Sequence, residues 1–143
     1  MPYLVDGDNL LGTWPGRRRS DADRRRLAFD LGRFAIRARR RVVVVFDGTP
    51  PPGSDLGPDV RFSGAGRTAD DVILEFLGRQ QDRRGWIVVT SDRSLGDQCR
   101  YRQAKLERCD RFRGRLSEGV AGDKPEREEE VDYWLEQFGG EDS

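Results

Sequence analysis

Three apolar runs in this chain end on an aspartate or just before one. They are Tyr3-Leu4-Val5-Asp6, Val42-Val43-Val44-Val45-Phe46-Asp47 and Trp86-Ile87-Val88-Val89-Thr90-Ser91-Asp92. Continuous apolar runs of this length are the pattern of strands covered on both faces. In an open parallel sheet the carboxyl ends of such strands lie side by side, and ligands bind in the crevice outside them. Carboxylates gathered there raise one another's pKa unless a cation sits among them. Asp6, Asp47 and Asp92 therefore point to a divalent-metal site for phosphate-ester chemistry, in which the ion activates water and stabilises the leaving oxygen. Asp70 is a fourth candidate. It shares a helical face with Ile73, Leu74 and Leu77, which turns it toward the strand ends, whereas Asp71 lies nearer Glu75. Three or four of these carboxylates converge within reach of one or two Mg2+ or Mn2+ ions, which take hard oxygen ligands.

Each acid also has a structural explanation. Asp71 lies three residues after Thr68, the spacing of a capping arrangement. Asp47-Gly48 suits a turn, and Asp92 suits the cap of a following helix. Asn9 is placed either to hydrogen-bond a neighbouring carboxylate or phosphate, or to bond its own backbone. Thr90 and Ser91 offer hydroxyls toward the same crevice. Asp6 has the weakest structural excuse of the set.

The elements that must position these residues follow from periodicity. Strands are expected at about 3–5, 42–46, 60–62 and 86–89, with a weak fifth near Leu106. Ser20 is a good N-cap, and Asp21 and Asp23 occupy the favourable first turn of a helix whose Leu27, Leu31, Phe34, Ala35 and Ala38 recur at helical spacing. Thr68 caps a second helix and Ser91 to Ser94 opens a third. The proline-rich stretch from Gly48 to Ser54 must be loop. Strand and helix in alternation specify an α/β fold with a parallel sheet and helices on both faces. In the common doubly wound order, strands two and four flank strand one, which places Asp6 between Asp47 and Asp92.

The chain has 143 residues, enough for one domain with a real core. Its formal net charge of zero conceals two opposed segments. Arg17 to Arg41 holds eleven arginines against three aspartates, and Ser117 to Ser143 holds ten acids against Lys124 and Arg127. A basic segment beside an acidic edge suits a nucleic acid, with Arg17, Arg18 and Arg19 as phosphate contacts. The plainer explanation is a general preference for arginine, since lysine occurs only twice. There is no histidine, which excludes Ser-His-Asp and Cys-His catalysis and any His-ligated zinc. Cys99 and Cys109 form no metal-type spacing and no disulfide framework, so a reducing cytosol fits. No run approaches the roughly 20 apolar residues of a membrane helix, and no signal pattern opens the chain. A soluble, cytoplasmic protein is expected. Residues 1–122 form the domain, and 123–143 an acidic tail with a short amphipathic helix. Its stripe of Val131, Trp134, Leu135 and Phe138 either docks on the domain or binds a partner.

Four segments taken together, "LVDGDNLLGTWP", "VVVVFDGTPPPG", "RTADDVILEFL" and "WIVVTSDRSL", resemble the YacP-like branch of the NYN domain family, within the PIN-like nuclease superfamily. The resemblance runs in order from about Tyr3 to Leu95, and less clearly to Leu116. It implies a PIN-like three-layer fold with four to five parallel strands, and ribonuclease activity or RNA binding, some members acting on messenger RNA at the ribosome. It implies metal roles for Asp6, Asp70 and Asp92, and supporting roles for Asn9, Asp47 and Ser91. One departure stands out: Asp8 occupies a position where the family commonly has an aromatic residue. It either adds a metal or water contact or is surface variation. The leading expectation is a metal-dependent endoribonuclease acting on single-stranded RNA. Two alternatives are a non-catalytic RNA-binding or partner-tethering domain and an aspartyl-phosphate phosphatase of the haloacid dehalogenase type. The second draws on Asp6-Gly7-Asp8, but its remaining motifs occur in the wrong order.

Overall fold

The computed structural model describes residues 1–122, so the expected tail helix over 123–143 lies outside the described residues. The elements follow in chain order: β1 (Tyr3–Asp6), α1 (Gly7–Gly12), α2 (Asp21–Ala38), β2 (Val42–Phe46), β3 (Val60–Phe62), α3 (Ala69–Gly78), β4 (Ile87–Val89), α4 (Arg93–Tyr101), β5 (Lys105–Glu107) and α5 (Cys109–Gly122), with a single 3-10 turn at Arg83–Gly85 before β4. The five strands form one sheet in the order β3-β2-β1-β4-β5, parallel throughout. Strands two and four flank strand one, as the doubly wound pattern requires.

The side-chain alternation of the strands divides the core into two layers. Tyr3, Val5, Val42, Val44 and Phe46 face one side, where Leu10, Leu11, Leu27, Leu31, Phe34 and Phe112 from α1, α2 and α5 cover them. Leu4, Val43, Val45 and Val88 face the other, under Ile73, Phe76, Leu77, Leu95 and Cys99 from α3 and α4. Full burial of each Val, Leu or Ile contributes roughly 1.5–3 kcal/mol. Tyr3, Phe34 and Phe112 form an aromatic triangle with ring centroids 5.1–5.7 Å apart, tying β1 to α2 and α5.

Two elements were not apparent in the sequence. The chain after β1 turns at once into α1, burying Leu10 and Leu11 completely. Gly7 makes that turn possible: a Cβ there would stand 2.4 Å from the Phe46 ring and 2.9 Å from Val44. The other is α5, hidden in a stretch dense with arginine and aspartate, where Cys109, Phe112 and Leu116 supply the buried stripe.

Candidate active site

The carboxyl ends of β1, β2 and β4 and the start of α3 bring Asp6, Asp47, Asp70 and Asp92 to one edge of the sheet. Asp6 ends β1 at 5% exposure. It occupies the N-cap position of α1, but its carboxylate makes no cap hydrogen bond, although the nearby Asn9 N–H favours its anion. Burial pushes its pKa up to about 7, and the charges of Asp70 and Asp47 push in the same direction. Opposing them, the Thr90 hydroxyl donates to Asp6 Oδ2 at 3.1 Å. Asp70, half-buried in the first turn of α3, is likewise raised, by burial first and then by Asp92, Asp47 and Asp71. On both carboxyls the leading influences are burial and neighbouring carboxylates.

The other acids each commit one oxygen to the fold. Asp92 Oδ1 accepts from Leu95 N at 3.0 Å and caps α4. Asp47 Oδ1 accepts from Ala69 N at 2.7 Å, which clamps the end of β2 to the start of α3 beside Asp70. The cap weighed for Asp92 therefore holds, whereas Asp47 is tied to α3 rather than to its own turn, and among the described residues no such bond occupies the second oxygen of either. Asp71 completes a capping box with Thr68 and is exposed.

Asn9 joins three elements. Its Oδ1 accepts from Ser91 N at 2.7 Å and from the Cys109 thiol at 3.2 Å, and lies 3.3 Å from the Thr90 hydroxyl. Ser91 Oγ in turn accepts from Cys109 N at 3.1 Å, and Thr90 Oγ1 accepts from Asp92 N at 3.0 Å. These contacts fix α1, the segment that follows β4 and the start of α5 relative to one another. Neither cysteine is suited to act as a nucleophile, because burial pushes Cys99 up to about 12 and raises Cys109 as well.

Asp8 serves the fold. At 2% exposure, its two oxygens accept from Arg24 Nε and Nη2, each at 2.9 Å, and Oδ2 also accepts from Asp47 N at 2.8 Å. The expectation that Asp8 extends a metal shell gives way to a bidentate ion pair that ties α1 to α2 and holds the backbone of Asp47. Sequence reasoning missed Arg24. Its only signal was its position one turn into a helix otherwise flanked by exposed arginines.

The arginines expected to contact phosphate are placed differently from one another. Arg17 pairs with Asp30 at 3.0 Å, lies 3.7 Å over the Trp14 ring and has a side chain only 8% exposed. Arg18 is exposed, with its backbone N–H bound to Asp23. Arg19 is exposed too, and donates from Nε to the Asp8 carbonyl at 3.1 Å, which places it next to the acidic edge.

Among the described residues, no group of three or more Asp, Glu, Cys or His is arranged to hold a metal ion as it stands. The donor chemistry nevertheless fits a hard divalent cation: the groups are carboxylates, and two of them are raised by burial and by the charge of neighbouring carboxylates. An open arrangement suits Mg2+, which keeps several waters in its shell. No helix among the described residues is long and apolar enough to cross a membrane.

Comparison with known proteins agrees with the architecture. A crystal structure of Rae1 (YacP) from Bacillus subtilis, a single-site mutant, superimposes with a TM-score of 0.65 at 22% identity, covering 92% of this chain and 90% of that one. A second crystal structure of Rae1 (YacP) from Bacillus subtilis gives 0.61 at 21% identity, covering 99% and 96%. At these identities the likeness establishes the shared fold. No curated protein matches the chain significantly. The family model described as the YacP-like NYN domain matches residues 3–130, and the chain therefore belongs to the YacP-like NYN domain family, a PIN-like nuclease family.

Proposed function

We propose that this protein is a metal-dependent endoribonuclease that hydrolyses single-stranded RNA, with Asp6, Asp70 and Asp92 holding Mg2+ or Mn2+. The observation that carries this reading is the crowding of carboxylates at the sheet edge. Two carboxyls titrate high because burial and like charge oppose their ionisation more than hydrogen bonding favours it. A bound divalent ion supplies an acidified water and stabilises the leaving oxygen. The chain's own residues do the rest. Asp47 anchors the start of α3 and so sets the position of Asp70. Thr90 orients the Asp6 carboxylate, and Asn9 with Ser91 locks the segment after β4 and the start of α5 against α1. Arg19, exposed beside the edge, and Arg18, exposed next to it in sequence, meet flanking phosphates, so binding weakens steeply with salt. The substrate is RNA, met free or presented by a ribosome.

The test is cleavage of a labelled single-stranded RNA, with Mn2+, with EDTA and with the Asp70→Asn variant in parallel. Metal-dependent cutting that Asp70→Asn abolishes is the expected result. Tight, salt-sensitive binding without cutting would overturn it for free RNA, in favour of an RNA-binding domain or an enzyme whose substrate a larger assembly must present.

A further inference from the structure

We infer that the outer face of α2 is the docking surface for this chain's own acidic C-terminal segment, residues 123–143. The inner face of α2 buries Leu27, Leu31 and Phe34 in the core. On the opposite face Phe29 is 65% exposed and Ile36 is 80% exposed. They stand seven positions apart, two turns of one helical face, and Arg25 and Arg33 share that face at three- and four-residue spacing. Single exposed apolar residues need no explanation, but two aligned on one helix within a basic frame define a surface of specific character.

The occupant is identified by sequence, charge and reach. Residues 123–143 carry nine acids against Lys124 and Arg127, opposite in sign to α2. Val131, Trp134, Leu135 and Phe138 recur at helical spacing and also span seven positions, so as a helix the stripe would match the roughly 10 Å between Phe29 and Ile36. The connection is short and sufficient. α5 lies against α2, with Phe112 meeting Phe34 at 5.5 Å, and ends at Gly122. The eight residues 123–130 then reach up to roughly 27 Å when extended. A tethered segment binds at high effective concentration, so a small apolar contact suffices when opposite charge frames it. This inference stands independently of the proposed nuclease activity.

The test is hydrogen exchange, read by mass spectrometry on the full chain, of the parent and the Phe29→Ser/Ile36→Ser double variant at two concentrations tenfold apart. In the parent, peptides covering 131–138 should exchange at least about ten-fold more slowly than in the variant, equally at both concentrations. Phe29 and Ile36 are outside the core, so the thermal midpoint should hold; if it does not, Trp134→Ser, which leaves residues 1–122 untouched, must produce the same loss of protection. Equal exchange in parent and variants would overturn the inference. Protection found only at the higher concentration would also overturn it, and would assign the face to a second copy of the chain. Absence of protection, together with weaker RNA binding by Arg25→Ala, would overturn it in favour of RNA on α2.

Discussion

Asp6 and Asp8 stand two residues apart at the end of β1, both almost fully buried, at 5% and 2% exposure. Their surroundings are opposite. Asp8 meets a bidentate guanidinium and a backbone N–H, so its charge is matched within the fold. Asp6 meets one hydroxyl and two other carboxylates, and its proton is held up to about pH 7. The separation has a geometric origin. The chain passes from strand to helix at Gly7, and positions two apart at a helix start face nearly opposite ways, at about 100° per residue. One carboxylate turns toward α2 and its arginine, the other toward α3 and α4, whose N-termini bring acids. A buried charge without a partner is costly, and it persists where something other than stability uses it. The contrast separates a carboxylate that builds the fold from one that the fold tolerates.

The largest expected effect lies on the Asp8 side. Asp8→Ala removes the partner of a guanidinium whose side chain is only 17% exposed, and leaves the Asp47 N–H without its acceptor. Breaking such a pair should cost about 3 kcal/mol by urea titration, whereas replacing both members, as Asp8→Leu with Arg24→Met, should recover much of the loss. A single variant as stable as the parent would erase the distinction between the two aspartates. Asp6→Asn should do the reverse. Cleavage should fall at least about 100-fold, equivalent to about 2.7 kcal/mol of barrier. The urea midpoint at pH 8 should stay level or rise, because a repulsion disappears. A large fall in that midpoint would make Asp6 a second structural carboxylate.

The pH dependence follows from the same asymmetry and is smaller. In EDTA, folded Asp6 titrates at about 7 in place of 3.8, so the folded state holds a proton there that the unfolded chain has released. The stability linked to that proton is complete below about pH 4 and is lost as the pH rises to about 7. Urea midpoints should therefore decline from pH 5 to pH 8, and Asp6→Asn should flatten that decline. An identical slope in parent and variant would show that Asp6 does not carry it. Added Mn2+ should raise the midpoint at pH 8 in the parent and have less effect in Asp6→Asn.

Much of this was legible in the sequence, for a physical reason. Val42 to Phe46 and Tyr3 to Val5 are continuous apolar runs that only a doubly covered strand accommodates, so the sheet, its central pair and the aspartates at its edge could be read directly. Thr68 with Asp71 announced a capping box, and the structure contains it. What escaped notice depended on tertiary contacts. α1 has only six residues and no periodicity to detect, and it exists because Gly7 clears the Phe46 ring. The Arg24–Asp8 pair spans 16 residues, with nothing in either residue to distinguish it from its charged neighbours. The same charge density hid α5, and it made Arg17 look available for phosphate although it is enclosed by Trp14 and Asp30.

The finest test of the comparison is Thr90, the residue that hydrogen-bonds the unmatched carboxylate. Its hydroxyl donates to Asp6 Oδ2 and accepts from Asp92 N, so it links two candidate metal ligands through one oxygen. Thr90→Val keeps the shape and removes both bonds. A hydrogen bond to a charged group is worth about 1.5–3 kcal/mol and one between neutral groups about 1 kcal/mol. The variant should therefore lose about 2.5–4 kcal/mol in urea at pH 8, where Asp6 is ionised, and less at pH 5, where it holds its proton. The dependence on pH is the discriminating part. A cost equal at both values would mean that Thr90 serves only the backbone of Asp92, and that Asp6 stands without support. A cost that shrinks at pH 5 would identify the Thr90 hydroxyl as a stabiliser of the Asp6 anion, the one polar side-chain contact that partly offsets its burial and the charges of Asp70 and Asp47.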